Sequence, residues 1–229
     1  MMTVEEAIVG RRSNRAFLPQ PVPRELIARI LEIAGHAPSG SNIQPWRVWV
    51  LDGAVKQALS HEMCELYDAG KGGQREYNYY PVKWFEPYLA RRRACGWGLY
   101  GVLGIGKGDK DKMHAQHRRN FLFFDAPVGL IFSVHRDLEQ GSWLDYGMFL
   151  QNIMLAARPF GLETCPQAAF LEFSHLLQRR LAIPAEQTIV CGMALGYPDR
   201  NDPVNAFSPK RIGAEEFVTF VEKVSDTGA

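Results

Sequence analysis

Pro38-Ser39-Gly40-Ser41-Asn42-Ile43-Gln44-Pro45-Trp46, running on into Arg47-Val48-Trp49-Val50-Leu51, is where the chain changes from one kind of structure to another. Upstream, Leu26, Ile27, Ile30, Leu31 and Ile33 recur at helical spacing and predict a helix over 24–37. Small and turn-forming residues stop it. Branched and aromatic side chains then dominate 46–51 and predict a strand. Further strands are expected at 127–134 (PVGLIFSV) and 188–195 (TIVCGMAL), with room for one or two edge strands. A short helix opens on the capping box Thr3-x-x-Glu6 and ends near Gly10. Other helices are expected over 54–68, 112–124, 144–160, 172–182 and 214–224. Helices outnumber strands, and the fold class is α+β.

The chain has 229 residues, enough for one domain that buries roughly 70% of its surface without a disulfide or metal staple. No boundary for a second domain is visible, so 1–229 reads as a single domain. Residues 69–112 differ in texture. They hold Gly70, Gly72 and Gly73, a Tyr/Pro-rich run from Tyr77 to Tyr88, and Arg91-Arg92-Arg93. That stretch is expected to be an exposed, partly mobile lid or arm. The net charge is +1, less than a nucleic-acid binder usually carries. No apolar run approaches 18 residues, which excludes a helical membrane span, and no apolar leader opens the chain. Cys64, Cys95, Cys165 and Cys191 form no CxxC, and they read as reduced thiols of a cytoplasmic protein.

Four segments carry candidate chemistry. Arg11-Arg12-Ser13-Asn14-Arg15 packs three guanidiniums and a hydroxyl into five residues, the donor density a phosphate requires. A solvated basic turn would read the same way. The Pro38–Trp46 loop offers Ser39, Ser41, Asn42 and Gln44 beside small residues that let a flat ligand approach the backbone. Its polar groups could equally cap one another. Gln151 and Asn152 interrupt an apolar helix and need partners; Gln151 suits a ligand rim, Asn152 a helix-packing contact. Thr164-Cys165-Pro166-Gln167-Ala168 follows Gly161, and its backbone amides could face a ring. No His or Lys stands near Cys165 to activate it, so no side chain is assigned a catalytic role.

Common alternatives fail on context. Gly96-x-Gly98-x-x-Gly101 follows an arginine-rich segment, not a buried strand, so it is not a dinucleotide fingerprint. His61-Glu62 lacks the second histidine of a zinc helix, since the fourth position on is Glu65, and no metal site is expected. Neither G-x-S-x-G nor G-K-[ST] occurs.

Arg11-Arg12-Ser13-x-Arg15 and Pro38-Ser39-x-x-Asn42-x-Gln44-Pro45-Trp46 together resemble the opening of the FMN-dependent nitroreductase family. Gln151-Asn152, Gly161-Leu162 with Pro166, Gly192-x-Ala194-x-Gly196-Tyr197 and Arg211 match it in order and spacing. Glu86-Pro87-Tyr88, Arg91-Arg92-Arg93 and Asn120-Phe-x-Phe-Phe124 resemble the nitrobenzoate and nitroaromatic reductase branch. The resemblance implies a central mixed sheet flanked by helices, in a homodimer with an extended C-terminal tail and FMN at the interface. Arg11, Arg12, Ser13, Asn14, Arg15 and Arg211 would hold the phosphate and ribityl chain. Pro38, Ser39 and Gly40 would come from the other subunit, with Asn42, Gln44 and Gln151 completing the cofactor site. Pro166, Gln167 and Ala168 would line the ring, although the family's Glu-Gly pair after the proline is absent here. NADH or NADPH would donate a hydride, and a small aromatic acceptor would take it. The same flavin fold could instead serve quinone or enone reduction, reductive dehalogenation or flavin destruction, or bind FMN without catalysis.

Overall fold

The structure is a computed structural model that describes residues 2–73 and 75–223. Its helices are α1 (Val4–Gly10), α2 (Arg24–Ala34), α3 (Gly53–Asp68), α4 (Tyr88–Val102), α5 (Lys110–Arg118), α6 (Gln140–Ala157) and α7 (Ser174–Arg180). Its strands are β1 (Arg47–Leu51), β2 (Val128–His135), β3 (Glu163–Gln167) and β4 (Gln187–Gly196). They form one sheet in the order β1-β2-β4-β3 with antiparallel neighbours. A parallel bridge between Ser13 and Thr164 makes the sheet mixed at its β3 edge. The α+β expectation holds.

β2 and β4 are buried on both faces, which is why they read as near-continuous apolar runs. On one face Ile131, Ile189 and Ala194 meet α3, α7 and the aromatic turns around Phe121–Phe124 and Phe170–Phe173. On the other, Leu130, Phe132, Met193 and Leu195 meet α2 and α6. The register shifts after Phe132, so Val190 has no partner on β2 and faces the same side as Cys191.

Several boundaries moved. α2 stops at Ala34 rather than 37: Gly35 caps it, and the residue before Pro38 is disfavoured in a helix. Only the first part of 112–124 is helical. From Arg119 the chain tightens into a 3-10 turn, and Phe123, Phe124 and Asp125 take positive φ, which delivers Phe121, Phe123 and Phe124 into the core. β3 falls where the sequence places no strand, and it is an edge strand of the kind the sequence leaves room for. Pro166 is tolerated because β3 is an edge strand and needs no outward N–H. The helix over 214–224 is not present in the described residues to 223, which hold only a 3-10 turn at Ala214–Glu216. Phe217, Phe220 and Val221 are exposed there, and a helix without an apolar surface to dock on is marginal.

The stem of the 69–112 excursion is tied down rather than loose. Glu76 Oε2 accepts from Ile189 N–H at 3.1 Å, and Tyr77 Oη donates to the Val190 carbonyl at 2.5 Å. These contacts serve the part of β4 that extends beyond β3, which would otherwise be an open sheet edge. Beyond the stem, α4 buries no residue.

Candidate functional site

A cleft of about 560 Å³ opens where α1 ends, bounded by α6, α4 and the segment after Phe207. Arg11, Arg12, Ser13, Arg15, Gln151 and Arg211 line it, so the structure gathers residues 200 positions apart that the sequence had singled out. The 11–15 segment is held from three sides. Asn14 N–H donates to the Thr164 carbonyl at 3.0 Å, and its side-chain amide donates to the Arg12 carbonyl at 3.3 Å. Arg15 N–H donates to Asn205 Oδ1 at 2.7 Å, and Asn205 Nδ2 donates to the carbonyls of Ala16 and Asp199, both at 2.8 Å. Asn14 therefore shapes the segment from a buried position, while its neighbours point outward.

The electrostatics are one-sided. Among the described residues, none of Arg11, Arg12, Arg15 and Arg211 lies within ion-pair distance of a carboxylate. Partial burial and the like charge of Arg211 push the Arg11 guanidinium below its usual range. An anion in the cleft would relieve both effects. Beneath it, β3 carries three buried polar atoms without partners among the described residues: Glu163 Oε2, Thr164 Oγ1 and Gln167 Oε1. Such orphans are uncommon in a native interior and mark this strand as polar beyond the needs of its own packing. The donor set fits a phosphorylated ligand.

Other candidates lie elsewhere. The Pro38–Trp46 loop does not line this cleft in its own chain. It is fixed to α6, where Gly40 N–H donates to Asp145 Oδ2 at 3.0 Å, and it closes on itself as Gln44 N–H donates to Ser39 Oγ at 3.0 Å. Ser41, Asn42 and Gln44 all take positive φ. Trp46 then stacks on Phe149, with centroids 4.7 Å apart. Pro166 is exposed and Ala168 half-buried. The Gln167 side chain turns inward, donating to the Asn120 carbonyl at 2.8 Å. Asn152 is a packing residue that donates to the Ala34 carbonyl at 3.4 Å. Burial pushes the Cys165 thiol up to about 11, so it is a poor nucleophile at neutral pH. No group of three metal-ligating side chains occurs among the described residues.

The sequence reading missed Asn205, Arg158 and Glu163. The last two are charged residues in an otherwise apolar stretch, LAARPFGLETC, and that was the available signal.

A four-stranded α+β sheet with an arginine-lined cleft at its β3 edge defines a protein built to hold a phosphorylated ligand. A profile of the nitroreductase family matches residues 8–197, and the chain belongs to that family. It is 44% identical over 220 residues to a 4-nitrobenzoate reductase of Nocardioides sp. (strain LMS-CY), covering 94% of this chain and 89% of that protein. It is 42% identical over 221 residues to a chloronitrobenzene nitroreductase of Comamonas testosteroni, covering 96% and 97%. Among solved structures, an FMN and NADPH-dependent nitroreductase NfnB from Sphigopyxis sp. strain HMH superposes with a TM-score of 0.92 at 36% identity, covering 96% of this chain and 100% of that one.

Proposed function

We propose that the chain is an FMN-dependent NAD(P)H oxidoreductase that reduces nitroaromatic compounds and works as a cytoplasmic homodimer. The observation that carries the reading is the cleft of four guanidiniums without carboxylate partners among the described residues, in a chain that belongs to the nitroreductase family. Arg11, Arg12, Arg15 and Arg211 would neutralise the FMN phosphate, with the Ser13 hydroxyl and the Gln151 amide as further polar contacts. Bound FMN supplies the two-electron chemistry between nicotinamide and acceptor. The protein supplies orientation and positive charge, and no side-chain acid or base is required.

The dimer is supported by apolar side chains that nothing among the described residues of one chain covers. Val4 and Ile8 on α1, Leu144 and Met148 on α6, and Phe217, Val218, Phe220 and Val221 near the end are all exposed. The Pro38–Trp46 loop sits on the same α6, through Asp145, which suits delivery of Pro38, Ser39, Gly40, Asn42 and Gln44 to a neighbouring subunit's ring. Pro166, Gln167 and Ala168 would face that ring through backbone. The four cysteines are free, which suits a reducing compartment. No helix among the described residues is long and apolar enough to cross a membrane. Residues beyond Tyr77 would form the acceptor-side lid. Rings and cations there are already paired, with Arg92 over the half-buried Trp84 at 5.0 Å and Arg91 over the exposed Tyr88 at 5.9 Å.

The test is flavin content and turnover. Purified protein should carry one FMN per chain, bleach on addition of NADH or NADPH, and recover colour with 4-nitrobenzoate. Arg11→Ala and Arg211→Ala should each weaken FMN binding about tenfold or more, as loss of a charge-assisted bond of roughly 1.5–3 kcal/mol requires. Colourless protein that takes up no FMN overturns the assignment.

A further inference from the structure

The Arg11–Arg15 segment is not positioned by its own helix alone. α1 has seven residues and no basic side chain in its last turn, and the local cap is one long bond, from Arg11 N–H to the Ile8 carbonyl at 3.4 Å. The two carbonyls before it are served from the residue that ends α6. Arg158 Nη1 donates to the carbonyls of Glu6 at 2.6 Å and Ala7 at 2.8 Å. The same guanidinium donates through Nε to Glu163 Oε1 at 3.1 Å, with the two side chains 12% and 10% exposed. It lies flat against Gly10, where a Cβ would stand 2.6 Å from Nη2. The next residue is Arg11. On the other flank, Glu163 leads into Thr164, whose carbonyl takes the Asn14 N–H and whose backbone bridges Ser13.

One buried ion pair thus grips the arginine segment at both ends. Such a pair is a weak source of stability, because desolvation offsets most of its attraction, but it fixes geometry. We infer that Arg158 and Glu163 are positioning residues for the phosphate end of the ligand: the pair sets the angle at which Arg11 and Arg12 meet it, and Glu163 places one negative charge behind the row of guanidiniums. Glu163 Oε2, buried and without a partner among the described residues, leaves that charge only half committed to Arg158. Its attraction reaches Arg11 and partly offsets the repulsion Arg11 feels from Arg211 and Arg158.

The inference rests on the FMN reading, and the experiment separates the two. Full-length protein is stripped of flavin and titrated with FMN and with riboflavin, which lacks the phosphate. The parent should prefer FMN. In Arg158→Met the FMN Kd should rise at least tenfold while the riboflavin Kd stays within twofold, and Arg158→Lys should restore part of the preference. A purely structural cap on α1 would shift both ligands together, and that result overturns the inference. So does an unchanged preference in Arg158→Met. Should the methionine variant fail to fold, Glu163→Gln keeps the side-chain shape and the bond to Arg158 while removing the charge. Reduced FMN preference there supports the inference, and an unchanged one overturns it. A parent with no preference for FMN overturns the cofactor reading, and the inference with it.

Discussion

Gly129→Ala drives a methyl group into the face of Phe123. The added Cβ would lie 2.5, 2.6 and 2.8 Å from three ring atoms, all closer than real Cβ contacts allow. The ring has little room to retreat. It packs on Phe170 with centroids 4.4 Å apart, Lys56 sits over it at 5.7 Å, and its own backbone is held at φ 55°. Phe170 is placed in the same way over Gly192, so two glycines on adjacent strands make a floor for two packed rings. Overpacking of a dense core costs about 1–3 kcal/mol, and the tight surroundings put this case near the upper end. For a chain of this size that lowers Tm by roughly 6–12 °C, at about 2–4 °C per kcal/mol. The measurement is urea unfolding at fixed protein and flavin concentration, since a bound ligand or partner shifts apparent stability. Gly141→Ala in the first turn of α6, with nothing within 4 Å of the new Cβ, is the contrast and should be neutral or stabilising by up to about 1 kcal/mol. Combining Gly129→Ala with Phe123→Leu should recover part of the loss, as touching residues couple by roughly 0.5–3 kcal/mol. Gly129→Ala within about 0.5 kcal/mol of the parent, the range of a surface change, would refute the account of this core face.

Burial pushes the Cys165 and Cys191 thiols up to about 11 and about 12, above the 9.0 of an ordinary thiol. Above that ordinary value the unfolded chain gives up protons that the folded chain keeps. Stability should therefore fall as pH rises, by up to about 1.4 kcal/mol per pH unit per thiol; unfolding midpoints of Cys191→Ala across alkaline pH should show a shallower fall. Tyr77→Phe leaves the Val190 carbonyl without its 2.5 Å bond and should cost about 1–3 kcal/mol in a denaturant titration; no change would mean the stem is not an edge cover. Replacing 79–87 with a Gly/Ser linker, which spares the Glu76 and Tyr77 anchors, should leave FMN bound and reducible by NAD(P)H. It should raise KM for the nitroaromatic acceptor and speed flavin reoxidation by oxygen. Dissociation with loss of FMN would instead make the segment a dimer arm.

What could be read ahead of the structure divides along a physical line. β2 and β4 were legible because both faces are buried, so composition alone marks them. Most of the arginine cluster was legible because its members are contiguous, and Arg211 came only through the family pattern. β3 was not, because its residues are Glu, Thr, Cys, Pro and Gln, of which only Thr164 favours a strand. What makes it one is a ladder to β4 and a bridge to Ser13, contacts made across 25 to 151 positions of chain. The failed helix over 214–224 is the converse: its periodic apolar residues were real, but in one chain they meet no surface. The same distinction applies within the site. Groups that meet a ligand advertise themselves by type and density. The groups that aim them, Arg158 from the end of α6, Glu163 from β3 and Asn205 from beyond β4, are single residues that act largely through backbone carbonyls and amides, and a lone charge between apolar neighbours is the only trace that Arg158 and Glu163 leave in the sequence.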